Sequence, residues 1–155
     1  MIRVQQDDFD VGTEIARLTD GNRSVGGLAV FVGLVRDLAE GNEIAAMTLE
    51  HYPGMTEKKL AEIEAEARHR WPLEATLIVH RYGRLEPGDR IVLVACASPH
   101  RDAAFDACRF LIDWLKTEAP FWKLEETANG SKWVEARDSD DEAKKRWTEN
   151  HRVAD

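Results

Sequence analysis

Lys116 and Lys123 flank the segment Thr117-Glu118-Ala119-Pro120-Phe121-Trp122 in a chain with 21 Lys and Arg against 29 Asp and Glu, a net charge of −8. Two ammonium groups brought together in so acidic a protein can donate protons, act as nucleophiles or clamp an anion, provided the backbone turns between them. Pro120 supplies the turn. An interior proline removes a helix hydrogen bond and clashes with the turn before it, so the apolar-periodic segment leading to Leu115 is predicted to end near Ala119, with Lys116 in its last turn. Phe121 to Thr127 alternates apolar and charged residues, which predicts a half-buried strand with Lys123 and Glu125 on one face. The pair also fits a plainer reading, in which Lys116 complements the helix C-terminal dipole and Lys123 decorates an exposed strand face. The spacing leaves both open.

A second cationic group, His100 and Arg101, stands at the other end of the same predicted helix. Ser98 reads as an N-cap and Pro99 as a first helical residue, and Ala104, Phe105, Cys108, Leu111, Ile112 and Leu115 read as the apolar stripe. Unpaired backbone N–H groups in a first helical turn favour an anion, and an arginine and a histidine there suit a phosphate. A pair solvating a helix end fits the same residues. His100 and Lys116 lie sixteen positions apart, roughly 24 Å along a helix, too far for one small ligand to touch both. A pocket that uses both ends is therefore expected to form across a symmetric dimer, with His100 and Arg101 contributed by the second subunit. Arg36 and Arg137 are further cations at predicted strand ends, each equally readable as an ordinary surface charge. Glu50 and His51 are adjacent on a predicted strand and point to opposite faces, which argues against a catalytic Glu-His pair.

The elements that position these groups follow from periodicity. A short helix is predicted over Val11 to Leu18, and Gly26 to Arg36 is continuous in apolar, β-branched residues, as in a buried strand. A second strand runs from Ile44 to Tyr52. Pro53-Gly54 breaks it before an amphipathic helix from Met55 to Trp71, with Leu60, Ile63 and Ala67 on one stripe. Thr76 to Tyr82 and Arg90 to Ala97 form a hairpin through Leu85-Glu86-Pro87-Gly88-Asp89, where Pro-Gly suits a type II turn. Lys132 to Ala136 is a last strand, and Asp138 to Asp155 reads as a charged tail that orders against a partner, with Trp147 as its anchor. The expected fold is α+β, a single domain in which amphipathic helices pack on a mostly antiparallel sheet.

Length and composition fit one soluble globular domain. The negative charge argues against nucleic-acid or anionic-membrane binding. No run approaches the roughly 18 apolar residues of a membrane span and the first residues hold no signal-peptide core, so a cytoplasmic protein is expected. Cys96 and Cys108 read as buried small hydrophobes, and the five scattered histidines lack zinc-site spacing. No metal or cofactor is expected.

Five blocks carry a resemblance: Leu49-Glu50-His51-Tyr52-Pro53-Gly54-Met55, Arg68-His69-Arg70-Trp71-Pro72, Ser98-Pro99-His100-Arg101, Leu115 to Lys123 and Trp133-Val134-Glu135-Ala136-Arg137. In this order, from about Phe9 to Trp147, the chain resembles the large, catalytic subunits of molybdopterin synthase, the MoaE family. The resemblance implies a domain over residues 1–147 followed by a charged tail at 148–155, and a dimeric core with a small subunit at each outer end. It implies a sulfurtransferase of molybdenum-cofactor biosynthesis. The sulfur arrives as a thiocarboxylate on the C-terminal Gly-Gly of a small ubiquitin-like partner and is installed in cyclic pyranopterin monophosphate as the dithiolene of molybdopterin. By position, Lys116 and Lys123 match the catalytic pair, Arg36, His100, Arg101 and Arg137 match phosphate and pocket positions, and Leu34, Val35, Leu124 and Glu125 match segments lining the pterin site. Family members often carry lysine where this chain has Leu34, so only backbone contacts are expected there. A scaffold that docks a ubiquitin-like tail without chemistry, and an enzyme for another phosphorylated heterocycle, are the competing readings.

Overall fold

The computed structural model describes residues 1–39, 42–134 and 138–149. The chain runs β1 (Ile2–Gln5), α1 (Val11–Thr19), β2 (Gly27–Leu34), β3 (Leu38–Ala39), β4 (Asn42–His51), α2 (Met55–Arg70), β5 (Ala75–Arg81), β6 (Gly83–Leu85), β7 (Arg90–Ser98), α3 (Arg101–Glu118), β8 (Phe121–Thr127), β9 (Gly130–Val134) and α4 (Asp138–Glu149). The α+β class holds, built on two sheets rather than one. The first has the order β1-β5-β7-β2, and the second joins β3, β4, β8 and β9 with β6 also paired to β4.

In the first sheet β1 runs parallel to β5 while the other neighbours are antiparallel. Its central strands β5 and β7 are buried along most of their length because both faces are covered. Ile78, Val94 and Cys96 pack under α2 and α3 with Leu60, Ile63, Phe110 and Leu111, while Leu77, Val79, Leu93 and Ala95 pack on the other side with Phe9 and the α1 residues Val11 and Leu18. β2, read from sequence as a buried strand, is an edge strand with β7 as its neighbour, and Phe31 and Leu34 are exposed. An apolar run alone cannot distinguish a central strand from an edge strand whose outer residues face solvent.

Ser98 is not an N-cap. It ends β7, donates its hydroxyl to the Pro72 carbonyl at 2.9 Å, and α3 begins two residues beyond Pro99, with His100 at the cap position making no side-chain cap bond. The helical stripe also shifts: Phe105 is exposed while Ala107 and Phe110 are buried. Phe105 and Phe110 lie five positions apart and so on different faces, and packing against Trp71 selects Phe110.

The hairpin turn is as the sequence predicts, with Gly88 at φ 91° and Asp89 N–H donating to the Glu86 carbonyl at 2.9 Å. Gly83–Leu85 interrupts that hairpin by leaving the first sheet to pair with β4 in the second. Asp138–Glu149 orders within the chain itself. α4 packs on α3, with Trp147 buried against Trp71 and Phe110 and its indole N–H donating to Asp113 at 2.7 Å.

Candidate active site

α3 ends where the proline requires, with Ala119 as C-cap and its N–H bonded to the Leu115 carbonyl, which leaves Lys116 exposed in the last turn. β8 then starts at Phe121. Its register sets Leu49 opposite Lys123 and Met47 opposite Glu125. Directly opposed residues share a sheet face, so Lys123, Glu125, Met47 and Leu49 lie together. Met47 and Leu49 pack with Leu85 and Val35 from the end of β2. The expected alternation is present, but the covered face is the charged one: Glu125 is 3% exposed, whereas Trp122 on the opposite face is 48% exposed. Glu125 Oε1 stands 3.4 Å from Lys123 Nζ, so a buried carboxylate holds a half-buried ammonium at the rim.

Lys116 lies one turn before the corner, at the end of α3. Its charge acts on His80, whose ring stacks on Phe121 with centroids 3.8 Å apart and planes at 17°. Phe121 and Lys123 are two residues apart on one strand and therefore point the same way. His80 is buried, and desolvation lowers its pKa to about 4, with the bond to the Arg81 carbonyl opposing the shift and Lys116 and His51 adding to it. The imidazole is neutral at pH 7. Its Nδ1 lies 2.8 Å from that carbonyl, which can only accept, so Nδ1 carries the proton.

Arg36 follows Val35, which packs with Met47 and Leu49 of β4. It lines an open groove with Val35, Asp37, Pro87 and Gly88. The groove's two walls are joined by backbone bonds from Val35 N–H to the Asp89 carbonyl and from Gly88 N–H to the Val35 carbonyl. Leu34 is exposed beside a register shift in β2, where the backbone departs from regular pairing. Leu124 faces away from Lys123, opposite Thr48 and Trp133, so its side chain lies on the other face of the sheet.

The remaining expected residues lie elsewhere. His100 and Arg101 begin α3 and are exposed beside the start of β2, where a Cβ on Gly27 would come within 3.3 Å of Arg101 Cα. α3 is unbroken between them and Lys116. Within one chain the structure pairs Lys123 with Glu125 just beyond the Pro120 corner that follows Lys116, and leaves His100 and Arg101 at the far end of α3. Arg137 falls outside the described residues.

Two residues at the corner had no signal in the sequence. Thr56 in α2 donates its hydroxyl to the Pro120 carbonyl at 3.2 Å, and His80 supplies the stack. Cys96 and Cys108 are free and buried, and the Cys96 thiol is pushed well above its ordinary range, first by its hydrogen bond with Cys108 and then by burial. No thiolate nucleophile comes from that residue at neutral pH.

An ammonium pair flanking a pinned corner, with one member tied to a buried carboxylate, suits an enzyme subunit performing acid–base or group-transfer chemistry on an anionic substrate. The MoaE protein family matches residues 4–118, a span that contains Lys116 and stops short of Lys123. A molybdopterin synthase catalytic subunit from Pseudomonas aeruginosa is 59% identical over 148 residues, covering 96% of this chain and 99% of its own length. The structure of a molybdopterin biosynthesis MoaE protein from Burkholderia ambifaria superposes with a TM-score of 0.83 at 56% identity, covering 96% of this chain and 97% of that one. The crystal structure of molybdopterin synthase from Staphylococcus aureus gives a TM-score of 0.80 at 35% identity over 86% and 96% of the two chains. The chain belongs to the MoaE family.

Proposed function

We propose that this chain works as the catalytic subunit of a molybdopterin synthase. It transfers sulfur from the C-terminal thiocarboxylate of a small ubiquitin-like subunit to cyclic pyranopterin monophosphate, forming the dithiolene of molybdopterin. What supports this reading is that Lys116 in the last turn of α3 and Lys123 on β8 flank the Pro120 corner, with Lys123 held by buried Glu125. Lys116, exposed at a helix end, is open to an incoming anionic tail. Lys123, oriented by Glu125, delivers or withdraws a proton at the pterin carbon that gains sulfur. Each transfer leaves the tail as an ordinary carboxylate, so a water oxygen replaces the departing sulfur and the paired ammonium groups offset the negative charge that develops.

Arg36 binds the substrate phosphate from the groove at the end of β2, a task suited to a planar guanidinium. His100 and Arg101 complete the phosphate site from a second copy of the chain, because an unbroken helix separates them from Lys116 in their own. Arg137 belongs with this cluster by position in the sequence. The working assembly is a dimer of this subunit with a small subunit at each end, operating in the cytoplasm. No helix among the described residues is long and apolar enough to cross a membrane.

The test supplies thiocarboxylated small subunit and cyclic pyranopterin monophosphate and follows dithiolene product for wild type, Lys116→Ala and Lys123→Ala. Both variants are expected to fold and bind the small subunit yet lose most turnover. Normal product formation by both would overturn the assignment.

A further inference from the structure

The two lysines belong to different elements, one to a helix and one to a strand, so their spacing depends on the short connection through Pro120. Proline fixes its own φ and restricts Ala119 before it to extended backbone, but leaves its own ψ and the torsions of Phe121 free to turn. In this chain that freedom is removed from outside. Thr56, fully buried in the first turn of α2, donates its hydroxyl to the Pro120 carbonyl and accepts the Tyr52 N–H at 3.0 Å, which ties the corner to the end of β4. From the other side His80, next to the end of β5, lies flat on the Phe121 ring, its own orientation held by the 2.8 Å contact with the Arg81 carbonyl. Phe121 N–H reaches back to the Ala119 carbonyl at 2.9 Å and closes the bend. Thr56 and His80 come from separate parts of the chain and converge on consecutive residues of one corner.

We propose that Thr56 and His80 form a clamp on Pro120 and Phe121 that sets the separation of Lys116 and Lys123, making both positioning residues for sulfur transfer. The proposal rests on the catalytic reading of the two lysines. Its physical basis is steep: displacing a reacting group by about 1 Å can cost on the order of a hundredfold in rate. The types of the two residues fit the task. Phe121 needs a flat ring against it, and the ring must carry no positive charge, because a cation here would repel Lys116 and compete for the substrate's anionic groups. The Pro120 carbonyl needs a short donor that also serves the Tyr52 N–H, which a buried hydroxyl does and an aliphatic side chain does not.

The experiment uses the full chain with thiocarboxylated small subunit and cyclic pyranopterin monophosphate. It compares His80→Ala and Thr56→Val with the conservative pair His80→Phe, which keeps a flat neutral ring, and Thr56→Ser, which keeps the hydroxyl. Folding is checked by thermal melting, and Lys123→Ala serves as the reference. The clamp predicts that His80→Ala and Thr56→Val lower kcat about tenfold or more while KM for the small subunit stays within about twofold, and that the conservative variants recover most of kcat. If His80→Ala does not fold, Thr56→Val against Thr56→Ser carries the test. Wild-type kcat in the disruptive variants, alongside a dead Lys123→Ala, overturns the clamp and leaves the lysine assignment standing. Equal loss in conservative and disruptive variants that remain folded also overturns it. An active Lys123→Ala together with an active Lys116→Ala instead removes the catalytic reading itself.

Discussion

The two ends of α3 carry similar charges in different settings. At the C-terminal end, Lys116 borders a corner pinned by Thr56 and His80, and Lys123 is paired with Glu125. At the N-terminal end, His100 and Arg101 are exposed, and His100 makes no cap bond with its side chain. A cation held by neighbours of its own chain has a fixed position before ligand arrives; one at an open helix start gains its position from whatever docks there. The first end is organised by the fold, and the second, on the function proposed above, by a second copy of the chain.

The largest effect expected from this contrast is at the organised end, where Lys116→Ala or Lys123→Ala should lower turnover by roughly 10²- to 10⁴-fold. Mixing subunits tests the other end. Co-expressed Lys123→Ala and Arg101→Ala chains should recover about a quarter of wild-type sites if the pocket is shared across a dimer, since half the dimers are mixed and each mixed dimer holds one intact site. No recovery over two inactive single variants would mean that Arg101 does not reach the pocket from the second chain.

His80 probes the organised end by pH. Its folded pKa near 4 lies below the value of about 6.5 in an unfolded chain, so the unfolded state binds the proton first as pH falls. Its contribution is therefore complete above about pH 6.5 and declines between 6.5 and 4, by up to about 3 kcal/mol. Denaturant titrations across this range should show the slope in wild type and a shallower one in His80→Phe. Glu125→Gln removes the partner of a half-exposed ammonium, and a stability loss of about 1 kcal/mol is expected, with a larger fall in kcat than in partner affinity. The smallest effect belongs to Asp8, whose pKa is lowered to about 2, chiefly by the side-chain hydrogen bond from Arg90. This pair is exposed. Asp8→Asn should cost less than about 1 kcal/mol above pH 4, and the difference from wild type should vanish as the pH falls toward 2.

The corner itself was legible in the amino-acid order because proline and the alternation after it are local signals, and both survive folding. What faces the corner was not. Thr56 and Pro120 are 64 positions apart, and nothing near either residue indicates the other. Glu125 looked like the outer face of a half-buried strand. The register with β4, which carries Met47 and Leu49 on that face, makes it the inner one. Short strands were also missed: β1 and β6 have four and three residues, too few to show a period, and β6 changes sheets in the middle of a hairpin. Ser98 misled for a related reason, since a serine before proline reads the same at the end of a strand as at the start of a helix.

The parallel pairing of β1 with β5 constrains how the chain is made. Ile2 aligns with Ile78 and Gln5 with Arg81, so the opening strand emerges from the ribosome long before its neighbour does. At about 5–20 residues per second, several seconds of translation separate the two. During that interval the apolar residues Ile2 and Val4 have no edge to join, so this edge of the first sheet is completed only after β5 has been made.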